Sequence, residues 1–347
     1  MPSVAPRHPF SIASLQTTPC EAPPSLGQAF AHWVDRQRER PWPLPGSGAT
    51  LERWRALADC GAADLALAKL VEGHADALAI LAELDATARL PAHGRCATWC
   101  AEPPDARLDV APAGRHTGSG AEVVLDGRKA WCSGAEWMTH ALVSGWNPAG
   151  EPVLALVELD QPGVRITGGG WQAVGMARTR SVDVRFTQAG GVQVGQPHAY
   201  VRRPGFTHGA AGVAACWYGG ACAIAGALRA AVGRRDDPHA EARLGMLDVA
   251  LAQAGALLRD AAQAIDARPA DPCAVQVMRA RLAVESAAEQ VLLGAPRALG
   301  AGPLCKDGAL AQRFADLPIY IRQSHAERDL ARLGQHIAAQ EVDPWQL

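Results

Sequence analysis

The sequence has little that would tie it to a membrane or to nucleic acid. It holds no run of 18 or more apolar residues, the length a spanning helix needs, so no transmembrane helix is expected. Neither sign of charge is in excess. The formal net charge is −2 and the pI about 6.6, which removes the electrostatic case for nucleic acid or an anionic lipid surface. The nine cysteines include no CxxC pair, and no two histidines stand at metal-ligand spacing, so the common zinc and dithiol sites are excluded. Free, buried thiols in a cytoplasmic protein are expected. The Walker phosphate loop, the metalloprotease HExxH and the nucleophile-elbow GxSxG are all missing. "GAGPLCKDG" has the look of a phosphate loop, but it follows a helical pattern rather than a strand. The opening "MPSVAPRHPFSIASLQTTPCEAPP" lacks the continuous apolar core of a signal peptide and reads as an irregular arm.

What is present is a change of periodicity, made twice. At 347 residues the chain is long enough for two or three domains. Residues 1–50 read as a partly irregular arm ending in the loop "PWPLPGSGAT", with Thr50 as a helix N-cap. From Leu51 apolar residues return at helical spacing (Leu51, Trp54, Leu57, then Leu67, Leu70, Leu78, Leu81, Leu84), with Gly61 and Gly73 as dividers. This shortened helical domain is expected over residues 51–93. Residues 94–197 switch to short alternations bounded by turns, "AEVVLDG", "THALVSGW", "PVLALVELD", "GVRITGG" and "SVDVRF", which predict an antiparallel sheet or small barrel. Residues 198–347 return to helical spacing in four segments, about 206–233, 239–267, 273–298 and 308–338, expected to form an antiparallel four-helix bundle. The first is rich in glycine and alanine, which permits close backbone approach. The fold class is therefore α+β and multidomain: helices, β-domain, bundle.

One corner carries unusual chemistry. "GRKAWCSGAEWMTHALVSGW" (residues 127–146) reads as a hairpin in which a strand stops at Gly127, Lys129 is exposed, Trp131 is buried, and a hydroxyl at Ser133 precedes the next strand.

In this order of domains the chain resembles the acyl-CoA dehydrogenase family over nearly everything after residue 50. "CAEPPDARLD" (100–109) is similar to the Thr-Glu-Pro segment that opens the family's middle domain, and the corner to its Gly-x-Lys-x-Trp-Ile-(Ser/Thr)-Asn segment. "GMARTRSVDVRFTQAGGVQVG" (175–195) is similar to the strand pair leading to the bundle, and "APRALGAGPLCKDGALAQRFAD" (295–316) to the Gln-x-x-Gly-Gly-x-Gly stretch with its Arg-Asp. The resemblance implies an FAD-dependent oxidoreductase, homodimeric or homotetrameric, acting on the CH–CH group of an acyl thioester, so acyl-CoA is the implied small-molecule substrate. It places Trp131 against the flavin ring edge, Ser133 near the reactive nitrogen and Cys132 between them; a large aromatic shields reduced flavin from water and a hydroxyl tunes the ring. Ala101 replaces the family's Thr, leaving backbone contact only. Arg297 replaces its Gln, followed by Gly300, and a guanidinium there suits the pyrophosphate. The Arg-x-x-Phe-Gly motif that reaches the neighbouring subunit's cofactor is eroded to "GRRDDPHAEARLG", with Arg234 and Arg235 as substitutes.

The family's catalytic base is missing. Desaturation needs a carboxylate to remove the α-proton, and the family's Glu falls on Ser324 or, by the other anchoring, on Arg322. Members that carry the Glu on the first bundle helix have it where this chain has Ala210. His325 and His208 are the nearest proton acceptors, and a His near this part of the bundle occurs in relatives that oxygenate aromatics. Three readings follow: desaturation with a non-standard base, flavin-dependent monooxygenation, or a binding scaffold without turnover.

Overall fold

Helical structure begins earlier than expected. In the computed structural model, which describes residues 25–117, 120–234 and 236–346, helix α1 (Leu26–Glu39) lies within the segment read as an irregular arm. A capping box between Ser25 and Gln28 starts it, and Phe30 and Val34, one turn apart, bury its inner face. The irregularity expected of residues 1–24 lies outside the described residues.

Helices α2 (Thr50–Ala63) and α3 (Leu65–Glu83) follow. They divide at Asp64, not at Gly61 or Gly73, because the Asp64 carboxylate accepts from the N–H groups of Ala66 and Leu67 and so opens a new helix. Thr50 is not a capping side chain. It is buried, and its hydroxyl donates to Asp266 at 2.6 Å, far along the chain.

Seven strands make one sheet: β1 (Cys96–Trp99), β2 (Leu108–Thr117), β3 (Gly120–Cys132), β4 (His140–Trp146), β5 (Pro152–Glu158), β6 (Val164–Ile166) and β7 (Val182–Gln193). The order is β1-β4-β2-β3-β7-β5, with β6 beside β7 and β5 pairing back onto β4. The sheet is mixed rather than antiparallel, since β1 and β2 both run parallel to β4. Short connections make β2, β3 and β4 alternate in direction, but β4 inserts between β1 and β2 instead of beside β3. The segment read as a hairpin is therefore an arch, with no ladder between β3 and β4 among the described residues.

The C-terminal part contains α4 (Ala199–Arg202), α5 (Pro204–Val232), α6 (Pro238–Ala267), α7 (Ala274–Leu299), α8 (Ala301–Lys306), α9 (Gly308–Tyr320) and α10 (Glu327–Ala338). α5 is long and apolar enough to cross a membrane by length and composition, yet it is the central helix, packed on α2, α3, α6, α7 and α9. Its small residues serve this chain's own packing. A Cβ at Gly219 would stand 1.9 Å from the Ala58 carbonyl oxygen, and one at Gly61 2.1 Å from that of Cys216, so the two glycines let α2 and α5 touch backbone to backbone. The expected last helix, 308–338, is broken. Residues 321–323 tighten to a 3-10 turn, Ser324 is extended and Ala326 has φ +42°. Arg281 draws off the Gln323 carbonyl at 2.7 Å and Glu285 the Ser324 hydroxyl, which removes this stretch from any helical ladder.

Candidate active site

The arch between β3 and β4 is built by a bulge. Three steps of β3, from Lys129 to Cys132, lie opposite two steps of β7, from Val184 to Val182, and Trp131 takes φ +58°. The extra residue inverts the expected exposure: Trp131 is 50% exposed, whereas Lys129 is fully buried. The Lys129 ammonium has three acceptors, the Ala101 carbonyl at 2.8 Å, Glu102 at 2.7 Å and the Ser144 hydroxyl at 3.0 Å, which matches its three donors. Glu102 also accepts from Ser144 and from the Trp146 indole. The Ala101 carbonyl is thus committed to Lys129. Cys132 is buried in the sheet, its thiol pushed up by desolvation.

Beside Trp131 runs a line of hydroxyls with a fixed direction. Thr179 donates to the Met176 carbonyl at 2.7 Å, so its oxygen accepts from Ser181, also at 2.7 Å, and Ser181 accepts in turn from Ser133 at 2.7 Å. Ser133 therefore presents lone pairs, not a hydrogen, to the corner. Behind it the Trp99 indole donates to the Ser133 carbonyl at 3.2 Å, and Gly134 rests against Leu70 of α3. A half-exposed indole face next to an acceptor hydroxyl fits a flat ring system that bears an N–H.

The sequence reading missed the face that α3 turns toward α5. Asp76 is only partly exposed and lies opposite Gly209, where a Cβ would stand 2.9 Å from its Oδ1. Burial pushes its carboxyl up, Glu72 adds to this, and Arg203, Arg53 and Lys69 oppose it. Tyr200 and Cys100 close the same region and hydrogen-bond to each other; burial raises the Cys100 thiol to about 11 and lifts Tyr200 well above its ordinary range. The signal for this face was a cluster of polar residues, Glu72, His74 and Asp76, inside an otherwise apolar helix. His74 points the other way. Its Nδ1 meets the Cys96 backbone at 3.1 Å, and burial lowers it to about 4, so it is a neutral structural residue.

The two positions implied for a base come together at α7. Arg281 donates to the carbonyl of Ala210 at 2.7 Å as well as to that of Gln323, and lies 4.5 Å from the centre of the Trp217 ring. One turn further on, Glu285 takes the Ser324 hydroxyl at 2.5 Å and Arg322 at 3.2 Å, while Arg322 also reaches Glu289 at 2.7 Å. His325 is exposed, with its backbone N–H on Asp329. His208 is buried with Nε2 2.9 Å from the Asp271 carbonyl. Arg297 is exposed in the last turn of α7, Gly300 follows at φ +69° in open space, and Arg234 is exposed. Arg235 lies outside the described residues.

No protein-family profile matches the sequence, and no curated protein does. Solved structures match over nearly the whole chain. TdsC from Paenibacillus sp. A11-2, a dibenzothiophene monooxygenase solved with FMN and indole, is 19% identical with a TM-score of 0.72, covering 92% of this chain and 96% of its own. KijD3, solved with FMN and a dTDP-linked 3-amino sugar, is 19% identical with a TM-score of 0.72, covering 94% and 97%. A glutaryl-CoA dehydrogenase from Mycobacterium smegmatis, solved with FADH2, is 13% identical with a TM-score of 0.71, covering 96% and 98%.

Proposed function

On the acyl-CoA dehydrogenase fold, which this chain has, we propose a flavin-dependent monooxygenase that uses reduced flavin and oxygen on a small organic molecule, rather than a desaturase of acyl thioesters. The observation that carries this reading is the pair of interactions at α7. Both implied base positions lack a carboxylate, and both are tied down, Ala210 by Arg281 and Ser324 by Glu285. A general base contributes on the order of 10²–10⁴ in rate; Glu285 is itself bound to Ser324 and Arg322. Oxygen chemistry does not need that base.

Trp131 and Ser133 would hold the flavin ring, with Arg297 near its phosphate. The bound flavin supplies the electron transfer that no side chain can. The acceptor face of Ser133 suits the N–H that a flavin ring gains on reduction. FMN is favoured over FAD, because the Gln of the Gly-rich stretch, which the resemblance sets at the FAD pyrophosphate, and the Arg-x-x-Phe-Gly motif, which it sets at the neighbouring subunit's cofactor, are altered here; FMN is also what TdsC and KijD3 hold. The chain would act as a homodimer or homotetramer.

The experiment is reconstitution with FMN and with FAD, followed by two assays. Expected are tighter retention of FMN, rapid oxygen consumption with a flavin reductase, and no bleaching by acyl-CoA. Bleaching by a common acyl-CoA at about 10 s⁻¹, the rate of a typical enzyme, would replace this reading with the desaturase.

A further inference from the structure

The line of hydroxyls behind Trp131 runs from the corner of the β-domain back to the bundle. Met176, at φ +57°, donates its N–H to Asp316 of α9 at 2.5 Å, and buried Asp316 also takes the Gln312 amide at 2.8 Å. Gly175 lets this loop touch α9 backbone to backbone, since a Cβ there would stand 1.9 Å from the Ala315 carbonyl oxygen. The Met176 carbonyl, held in this way, accepts from both the N–H of Thr179 at 3.0 Å and its hydroxyl at 2.7 Å. The Thr179 carbonyl in turn accepts from Gly134 at 2.8 Å. Three oxygen–oxygen contacts of 2.7 Å lead from Met176 through Thr179 and Ser181 to Ser133. Two oxygens so close need a hydrogen between them. The carbonyl has none to give, so the three hydroxyls must fill the three gaps, and each points toward Met176. Ser133 keeps no hydrogen for the corner. Thr179 and Ser181 are buried, at 1% and 3% exposure, so bulk water does not exchange into the line.

We propose that Thr179 and Ser181 are positioning residues: they hold Ser133 as an acceptor and so make the corner prefer a reduced flavin ring to an oxidised one. This rests on the flavin reading of Trp131 and Ser133 above. An oxidised ring presents a bare nitrogen where the reduced ring carries a hydrogen. An acceptor hydroxyl meets the first with lone pair against lone pair, and the second with a hydrogen bond. A site shifts an equilibrium by the ratio of its affinities for the two states, so tighter binding of reduced flavin raises the potential of the bound cofactor. No proton or electron passes along the line; it decides only which form of the ring is held. In an enzyme that must keep reduced flavin in place until oxygen arrives, that preference retains the reactive form.

The test is the midpoint potential of bound FMN, with Kd measured separately for oxidised and for anaerobically reduced FMN. Thr179→Val keeps the shape of the side chain and removes its hydroxyl. Of the two hydroxyl partners of Ser181 only Ser133 then remains, so the line reverses and Ser133 offers its hydrogen to the corner. Expected is about a tenfold fall in the preference for reduced FMN, which lowers the potential by about 30 mV for a two-electron couple. Ser181→Ala frees the Ser133 hydroxyl to rotate and should shift the potential the same way, which covers a Thr179→Val chain that fails to fold. Thr179→Ser keeps the hydroxyl and should match wild type. In a Ser133→Ala background neither substitution should move the potential, because the line then acts on nothing. A role confined to holding the corner together would weaken both forms of FMN alike and leave the potential where it was. Wild-type potentials in the folded Thr179→Val and Ser181→Ala variants would overturn the proposal, as would a shift that survives Ser133→Ala. A wild-type chain that takes up no flavin ends the flavin reading and this inference with it, whereas FMN bound at unmoved potentials ends this inference alone.

Discussion

At the scale of single residues, the pair Lys129–Glu102 shows how far a side chain's role can depart from its sequence context. A lysine between Gly-Arg and Ala-Trp reads as a solvated strand residue, yet it is fully buried in the sheet and paired with Glu102. Its value lies in tying β3 to the β1–β2 connection and to β4 through Ser144. Removing Lys129 strands a Glu102 whose side chain is 31% exposed and which keeps two other donors, so the cost is about 1–3 kcal/mol. Lys129→Met is therefore expected to lower unfolding stability by that amount in urea, whereas the double variant Lys129→Met/Glu102→Leu should recover part of it. An equally stable single variant would mean that Glu102 reaches water unaided. None of this was legible beforehand, because a bulge leaves no glycine or proline mark. Asp76 was hidden for a different reason: the helical pattern that located α3 does not say which of its polar residues face α5.

At the scale of elements, the succession of helices, strands and helices was legible because burial imposes a period of 3.6 or 2 on apolar residues. The ends and breaks were not. α9 and α10 carry one unbroken helical pattern, and the interruption at Ser324 is imposed from outside, by Arg281 and Glu285 on α7. This changes what a restored base would do. Ser324→Glu sets a second carboxylate against Glu285, and like charges in a buried site are destabilising. The single variant is expected to lose about 1–3 kcal/mol, to regain it with Glu285→Gln, and to leave bound flavin unbleached by acyl-CoA in both forms. Urea unfolding and anaerobic spectra report these separately. A stable Ser324→Glu variant that bleaches would show a desaturase pocket lacking only its base.

At the scale of the whole molecule, the question is which surface a second copy would use. The small-residue helix α5 is packed largely within its own chain. α10 is the opposite case: strongly amphipathic, with no buried residue. Leu330, Leu333 and Ile337, with Trp345 beyond them, line a groove of about 550 Å³ that Arg279 of α7 borders, and Leu330 and Trp345 are 55% and 76% exposed. Its charged residues are of both signs, Glu327, Arg328 and Asp329 in the first turn and Arg332 one turn on. Two copies laid antiparallel would bring their apolar stripes together, so the expected occupant is another α10. At about 1 kcal/mol for each half-exposed apolar side chain, eight of them are comparable with an association cost of about 4–15 kcal/mol. The contact should thus depend on concentration. Light scattering is expected to give a mass at least twice 36.4 kDa at tens of micromolar. Leu330→Asp should reduce the mass to one chain without altering the circular dichroism, because no intrachain core is touched. If wild type already scatters as one chain, or Leu330→Asp leaves the assembly whole, the stripe on α10 is not where copies of this chain meet.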